Sequence, residues 1–270
     1  MKELSLILAI GLSVFFTSAQ NRTCGTMQHL NEIRQNDPKI DIRMAKENKA
    51  IKAWIFNNSN SKSTVLTIPV VIHVLYNNSS QNRSDAQIFS QMDILNEDFR
   101  RLNSDAGNTP GVFSAVDTEF EFCLAVRDPN GNPTTGIIRK TGGNPPGSGG
   151  PDLWPSSDYM NIYVYNIGGG TLGFTYTPST TVNQAVHIST PYFGNTGGTY
   201  GMGRTATHEV GHWLNLEHVW GAWGSCGNDQ VADTPTQEEE NYSCPSFPSV
   251  STCNSTPNSP NGDMFMNYMD

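Results

Sequence analysis

The residues of this chain best able to do chemistry lie in one run, Arg204-Thr-Ala-Thr-His208-Glu209-Val-Gly-His212-Trp-Leu-Asn215-Leu-Glu-His218. On a helix, residues four apart share a face, so His208 and His212 present two imidazoles to one ion with Glu209 beside them. Zinc takes that pairing from a helix, and a third ligand leaves one tetrahedral position open for a water molecule. His218 lies six residues further on and reaches the same ion only if the helix stops and the chain turns back. Asn215 stands where that turn must fall, and asparagine is among the few residues besides glycine that tolerate the left-handed conformation of a helix end. The plainer alternative, satisfied core or surface histidines, leaves the third histidine and the breaker unexplained.

The long motif with a third histidine resembles that of the metzincin metalloendopeptidases. The closer resemblance is to the pappalysin family, carried by the run from Arg204 to Leu216, by Val231-Ala-Asp233-Thr234-Pro235 and by Asp263-Met-Phe-Met-Asn267-Tyr-Met269-Asp270. It spans residues 66–270 and is most specific over 204–270. The resemblance implies peptide-bond hydrolysis, with His208, His212 and His218 on zinc. The metal would lower the pKa of its bound water towards ~7, and Glu209 would take that proton and pass it to the leaving amine. Met269 would be the Met-turn residue, packed beneath the metal without ligating it; ordinary core filling by Met264, Met266 and Met269 is the alternative. Many metzincins carry glycine where this chain has Asn215. Relatives continue past Asp270 with a tyrosine and a cysteine-bearing acidic segment, so the catalytic part is expected to be C-terminally incomplete.

A second candidate is Cys24, in Arg22-Thr-Cys24-Gly-Thr. A thiolate is a strong zinc ligand and could displace the catalytic water, which resembles the cysteine-switch latency of metzincin zymogens; a Cys24–Cys123 disulfide is the alternative. Cys226, Cys244 and Cys253 lie in a region poor in core formers and lack the close spacing of structural zinc ligands. The family pattern implies a Cys226–Cys253 disulfide, with Cys244 bonded beyond residue 270. Asp229, Asp233 and the Thr234 hydroxyl offer the oxygen ligands that calcium takes, and the resemblance suggests calcium here; a solvated acidic loop is the alternative. His29, His73 and His187 show no partner pattern and are expected to be structural.

The elements that must position these residues can be outlined. The chain has 270 residues, 36% of them hydrophobic and 15% charged, and its formal charge is −9; one packed domain is expected and a nucleic-acid footprint is not. Lys2, the apolar run Leu4–Phe16 and the small residues to Ala19 have the form of a secretory signal peptide, too short to span a bilayer, so a secreted protein without a membrane span is expected. Residues 1–60 hold 8 basic and 5 acidic residues and 61–270 hold 8 and 20, so a basic prosegment over 20–60 would dock on an acidic catalytic domain over 61–270 and inhibit it. The polar tract Asn57–Ser63 reads as a cleavable linker. Beyond it, Ile68–Tyr76 is a strand buried on both faces. Ser84 and Gln87 form a capping box, with Ile88, Met92, Leu95, Phe99 and Leu102 at helical spacing. Phe120–Val126 alternates as a half-buried strand, and Tyr159–Ile167 supplies another. Gly142–Pro151 and Ile167–Gly173 read as surface connections without chemistry. Together they predict an α/β (α+β), metzincin-like protein of two subdomains, with a twisted mixed sheet and the active-site helix above and an irregular, disulfide-braced part below. Protein or peptide substrates would lie along the sheet edge as an extra strand. Two rivals are a secreted, zinc-stabilised binding or adhesion protein without turnover and a zinc hydrolase of non-peptide substrates.

Overall fold

The computed structural model describes residues 23–58, 64–142, 145, 153–176, 184–221, 226–243, 245–254 and 261–270. The expected signal peptide, residues 59–63 of the linker tract and Cys244 lie outside these residues. Within them, β1 (Thr23–Cys24), α1 (Thr26–Asn36) and α2 (Ile40–Asn58) precede the long strand β2 (Leu66–Tyr76). Then follow α3 (Asp85–Phe99), β3 (Phe120–Leu124), β4 (Ile137–Thr141), β5 (Met160–Tyr165), β6 (Thr171–Thr175), β7 (Ala185–Ser189) and α4 (Arg204–Trp213).

The strands form one sheet in the order β1-β6-β7-β5-β2-β3, with β4 beside the second half of β2. All pairings are parallel except β6 with β7. Pleating sends alternate residues to opposite faces. Val70, Ile72 and Val74, with Ile162, Val164, Val186 and Ile188, pack against Ile88, Met92 and Leu95 of α3 and Ala206 and Val210 of α4. The residues between them carry Leu75, Tyr163 and Ala185 to the other face. Both faces are therefore covered, as the unbroken apolar run in β2 requires.

The opposite face also holds a row of stacked rings. His73 lies 4.3 Å from Tyr163, Tyr163 5.4 Å from His187, and His187 4.4 Å from Phe174. His29 of α1 caps the row 3.8 Å from Phe174. The three histidines without a sequence pattern are thus gathered in one place.

Several boundaries differ from the sequence reading; β2 begins two residues earlier, at Leu66, and β5 ends at Tyr165, short of Ile167. The capping box of α3 is present, but the helix ends at Phe99 and Leu102 is 73% exposed. Arg101 takes φ 53° and the Leu102 amide bonds back to the Glu97 carbonyl at 2.7 Å, a Schellman-type end made without glycine. Val126 lies outside β3 and is exposed. Asn57 and Asn58 continue α2 instead of beginning a linker.

Below the sheet, the described residues after α4 have no strand and one short 3-10 turn at Thr252–Asn254. A disulfide joins Cys226 to Cys253 with Cα atoms 5.4 Å apart. The metzincin-like mixed α/β architecture, with an irregular disulfide-braced part beneath the active-site helix, is the one anticipated.

Candidate active site

Helix α4 sets the site. Ala206 and Val210 are fully buried in the core, which turns His208, Glu209 and His212 towards the cleft edge. The helix ends where Asn215 adopts φ 70° and the Leu216 amide bonds to the Gly211 carbonyl at 3.0 Å. The chain then doubles back and brings His218 in, its ring stacked on Trp220 at 4.5 Å.

The tautomers of two histidines follow from their partners. His208 Nδ1 lies 2.6 Å from the Tyr268 carbonyl and His212 Nδ1 2.8 Å from the Leu216 carbonyl. A carbonyl oxygen only accepts, so each Nδ1 donates and each Nε2 keeps its lone pair. The Nε2 atoms of His212 and His218 stand 3.2 Å apart, and Cys24 Sγ lies 3.6 Å from His212 Nε2. All four ligand atoms of Cys24, His208, His212 and His218 fall within 4.8 Å of one another, and His208 Nε2 is buried without a hydrogen-bond partner. A tetrahedral zinc would separate two imidazole nitrogens by about 3.3 Å and a nitrogen from a thiolate by about 3.6 Å, so the donor set fits that metal. Burial pushes His218 down to about 3 and His212 well below the usual histidine range, helped by the neighbouring imidazoles; both are neutral, as metal ligands must be. Burial pushes the Cys24 thiol up, and a bound cation would work in the opposite direction.

Glu209 is fully buried. Its Oε2 accepts from the Thr26 hydroxyl at 3.0 Å and lies 3.1 Å from the Thr175 hydroxyl, while Oε1 has no partner. Burial first, and then the Cys24 sulfur, push its carboxyl well above the usual range. Beneath the helix, Met269 is buried and its carbonyl accepts from the Val219 amide at 3.1 Å. A Cβ on Gly211 would fall against the Met269 sulfur, which is why the motif has glycine between Val210 and His212.

The N-terminal segment runs through the same cleft. β1 pairs parallel with β6, and the Gly25 amide donates to the Gly173 carbonyl at 2.8 Å. The Thr26 hydroxyl accepts from the Thr175 amide at 2.9 Å and donates onward to Glu209. Helix α2 crosses the end of α4, where the Asn215 amide group donates to Asn48 at 2.8 Å and Lys52 donates to Gln230 at 2.7 Å. Cys123 is free and exposed and is not bonded to Cys24.

Several participants were not visible in the sequence reading. Thr171–Gly173, which reads in sequence as a surface connection, opens the rim strand β6. A Cβ on Gly173 would stand 2.8 Å from the His187 carbonyl and 2.9 Å from Glu209 Cγ; glycine inside a strand is the mark of such an approach and was the available signal. Thr26 and Thr175 had none. Asp229 is buried and its carboxylate accepts from the Val231 amide at 3.0 Å, while Asp233 is exposed. Among the described residues, the Cys24 and histidine set is the one gathered group of three or more potential metal ligands of the His, Cys, Asp or Glu types.

A sheet with this helix beneath its rim, three convergent histidines and a buried glutamate define a metallopeptidase of the metzincin class. Residues 150–270 match the model of the M43 peptidase family, described as pregnancy-associated plasma protein-A. An extracellular metalloprotease of Arthroderma benhamiae is 31% identical over 218 residues, covering 76% of this chain and 69% of that protein, and one of Trichophyton verrucosum matches to the same extent. Among solved structures, mature mirolysin of Tannerella forsythia with a cleaved peptide is 46% identical with a TM-score of 0.71, covering 77% of this chain and 84% of that one. A promirolysin mutant is 42% identical with a TM-score of 0.78, covering 92% and 86%. The chain belongs to the M43, or pappalysin, family and is an extracellular metalloprotease.

Proposed function

We propose that this protein is a zinc-dependent endopeptidase made as a latent zymogen, with a signal peptide over residues 1–19, a prosegment over 20–60 and a catalytic domain over 61–270. The observation that carries the reading is the convergence of Cys24 with His208, His212 and His218 within 4.8 Å beside the Glu209 carboxylate. The three histidines would hold the metal. When bound, zinc supplies a Lewis acid that polarises the scissile carbonyl and acidifies a water molecule. Glu209 accepts the proton of the attacking water and delivers it to the leaving amine. Its free Oε1, and the Oε2 that Thr175 shares with the prosegment's Thr26, suit a carboxylate that must exchange a proton without ligating the ion. Substrate would lie along β6 as an added strand, where β1 now pairs.

Latency is supported by the same contacts. The Cys24 thiolate would take the position that water needs, and Thr26 engages the base. The covered share of this chain rises from 77% against mature mirolysin to 92% against promirolysin, as expected if the N-terminal segment is a prosegment. A calcium ion on the oxygens of Asp229, Asp233 and Thr234 is a further part of the reading, supported by the buried, hydrogen-bonded Asp229 carboxyl.

The test is mass-spectrometric profiling of cuts in a mixed peptide library by processed wild type, wild type with a zinc chelator, and Glu209→Ala. Cuts are expected in untreated wild type alone. Glu209→Ala should retain zinc and lose about 10²–10⁴-fold in rate; retained cleavage by that variant would remove the role given to Glu209.

A further inference from the structure

We infer that Asp98, on α3, is a positioning residue for the metal site, acting through the Met-turn backbone on the ring of His208. The inference rests on the zinc reading above. His212 takes its carbonyl partner from Leu216 in its own helix end, and His218 is held by stacking on Trp220. His208 depends instead on the carbonyl of Tyr268, 60 residues downstream, so whatever fixes Tyr268 fixes the tautomer and ring angle of His208.

Asp98 makes that connection. Its side chain is 1% exposed, and a buried carboxylate must be satisfied. Oδ1 accepts from the Tyr268 hydroxyl at 2.7 Å and Oδ2 from the Thr207 hydroxyl at 2.7 Å. Arg204 Nη2 is more distant, 3.4 Å from Oδ1, because its guanidinium is engaged by Asp105. That guanidinium also stands 5.3 Å above the Tyr268 ring. One charge-assisted bond therefore holds each end of the unit: Thr207 is next to His208 on α4, and Tyr268 supplies the acceptor for His208 Nδ1. Partners of this kind, one step behind a ligand, keep the lone pair of the ligating nitrogen aimed at the metal.

The test uses the full chain loaded with zinc, comparing wild type, Asp98→Ala, Tyr268→Phe and the double variant. Tyr268→Phe removes only the hydroxyl and guards against a folding defect in Asp98→Ala. Zinc transfer to a chromogenic chelator is expected to be about 10–100-fold faster in each single variant. The double variant should be no faster than the quicker single one, because both act on one path. The visible absorption of the cobalt-substituted protein should change in both, and metal-free Tyr268→Phe should still unfold in one cooperative urea transition, which shows that it is folded. Zinc transfer and cobalt spectra equal to wild type in both single variants would overturn the positioning role alone. A wild-type chain that binds no zinc, or a His208→Ala variant that holds it equally well, would overturn the zinc reading and this inference with it.

Discussion

Thr26 does two things with one hydroxyl, accepting from the Thr175 amide at 2.9 Å and donating to Glu209 Oε2 at 3.0 Å. Valine has nearly the same shape and neither function. Thr26→Val should weaken inhibition of the processed enzyme by an isolated prosegment peptide about 10–100-fold, from the ~1.5–3 kcal/mol that a bond to a charged group contributes; an inhibition constant within twofold of the natural peptide would contradict this. Gly211 is constrained from the opposite side, since any side chain there meets the Met269 sulfur. Gly211→Ala should destabilise the protein by about 1–3 kcal/mol through overpacking, seen as a lower midpoint in urea unfolding. Both contacts join residues far apart in sequence, so neither could be read from a local pattern. The motif glycine itself was legible, but its reason was not.

At the scale of elements, the site depends on where α4 stops and on which strand forms the rim. Asparagine in the left-handed region costs less than most residues but more than glycine. Asn215→Ala should cost about 1–2 kcal/mol, with added loss from the bond to Asn48, and should slow zinc uptake because His218 lies beyond the turn; unchanged unfolding and uptake would contradict it. That helix end was legible, because a breaker within a periodic motif is a local signal. The end of α3 was not, because Arg101 adopts the same backbone region with no glycine or asparagine to announce it. Strand β6 was missed for a related reason: three residues of it read as loop, since Thr171-Leu-Gly173 follows a run of glycines. In the fold, Gly173 is the place where the rim passes over Glu209. Gly173→Ala should therefore lower kcat of the processed enzyme, measured on a peptide substrate, by displacing the base or the rim.

At the scale of the whole molecule, the row of rings across the sheet makes stability depend on pH. Burial pushes His73 down to about 4 and His187 down to about 3, the latter helped by His29 and His73. The unfolded chain binds these protons near pH 6.5, whereas the native state does not. Their contribution to stability is therefore complete above about pH 6.5 and is lost as the pH falls towards the native values. Between pH 7 and 5, each histidine should remove about 2 kcal/mol from the unfolding free energy. Urea unfolding of metal-free protein should show this drop, and His73→Gln should make it smaller by about 2 kcal/mol; identical pH slopes for the two proteins would contradict the account. Comparing the two metal-free proteins isolates the share of His73, because His212 and His218, also held low by burial, contribute alike to both.

The sequence by itself determined the histidine triad proposed here as metal ligands, the breaker that ends its helix, the Met-turn residue as a candidate, the capped helix α3 and the buried strand β2. Each is written within a short window, where helix and strand periodicity convert spacing directly into shared faces. Tertiary structure chose between the two readings of Cys24 by bringing it to His212 across 188 residues, and it alone brought Thr26 and Thr175 to Glu209, and Asp98 to Tyr268 and through it to His208. Those contacts depend on the register of β1 on β6 and on the packing of α3 against α4. Both are settled by burial of whole faces, which the residues at the contact points do not encode locally.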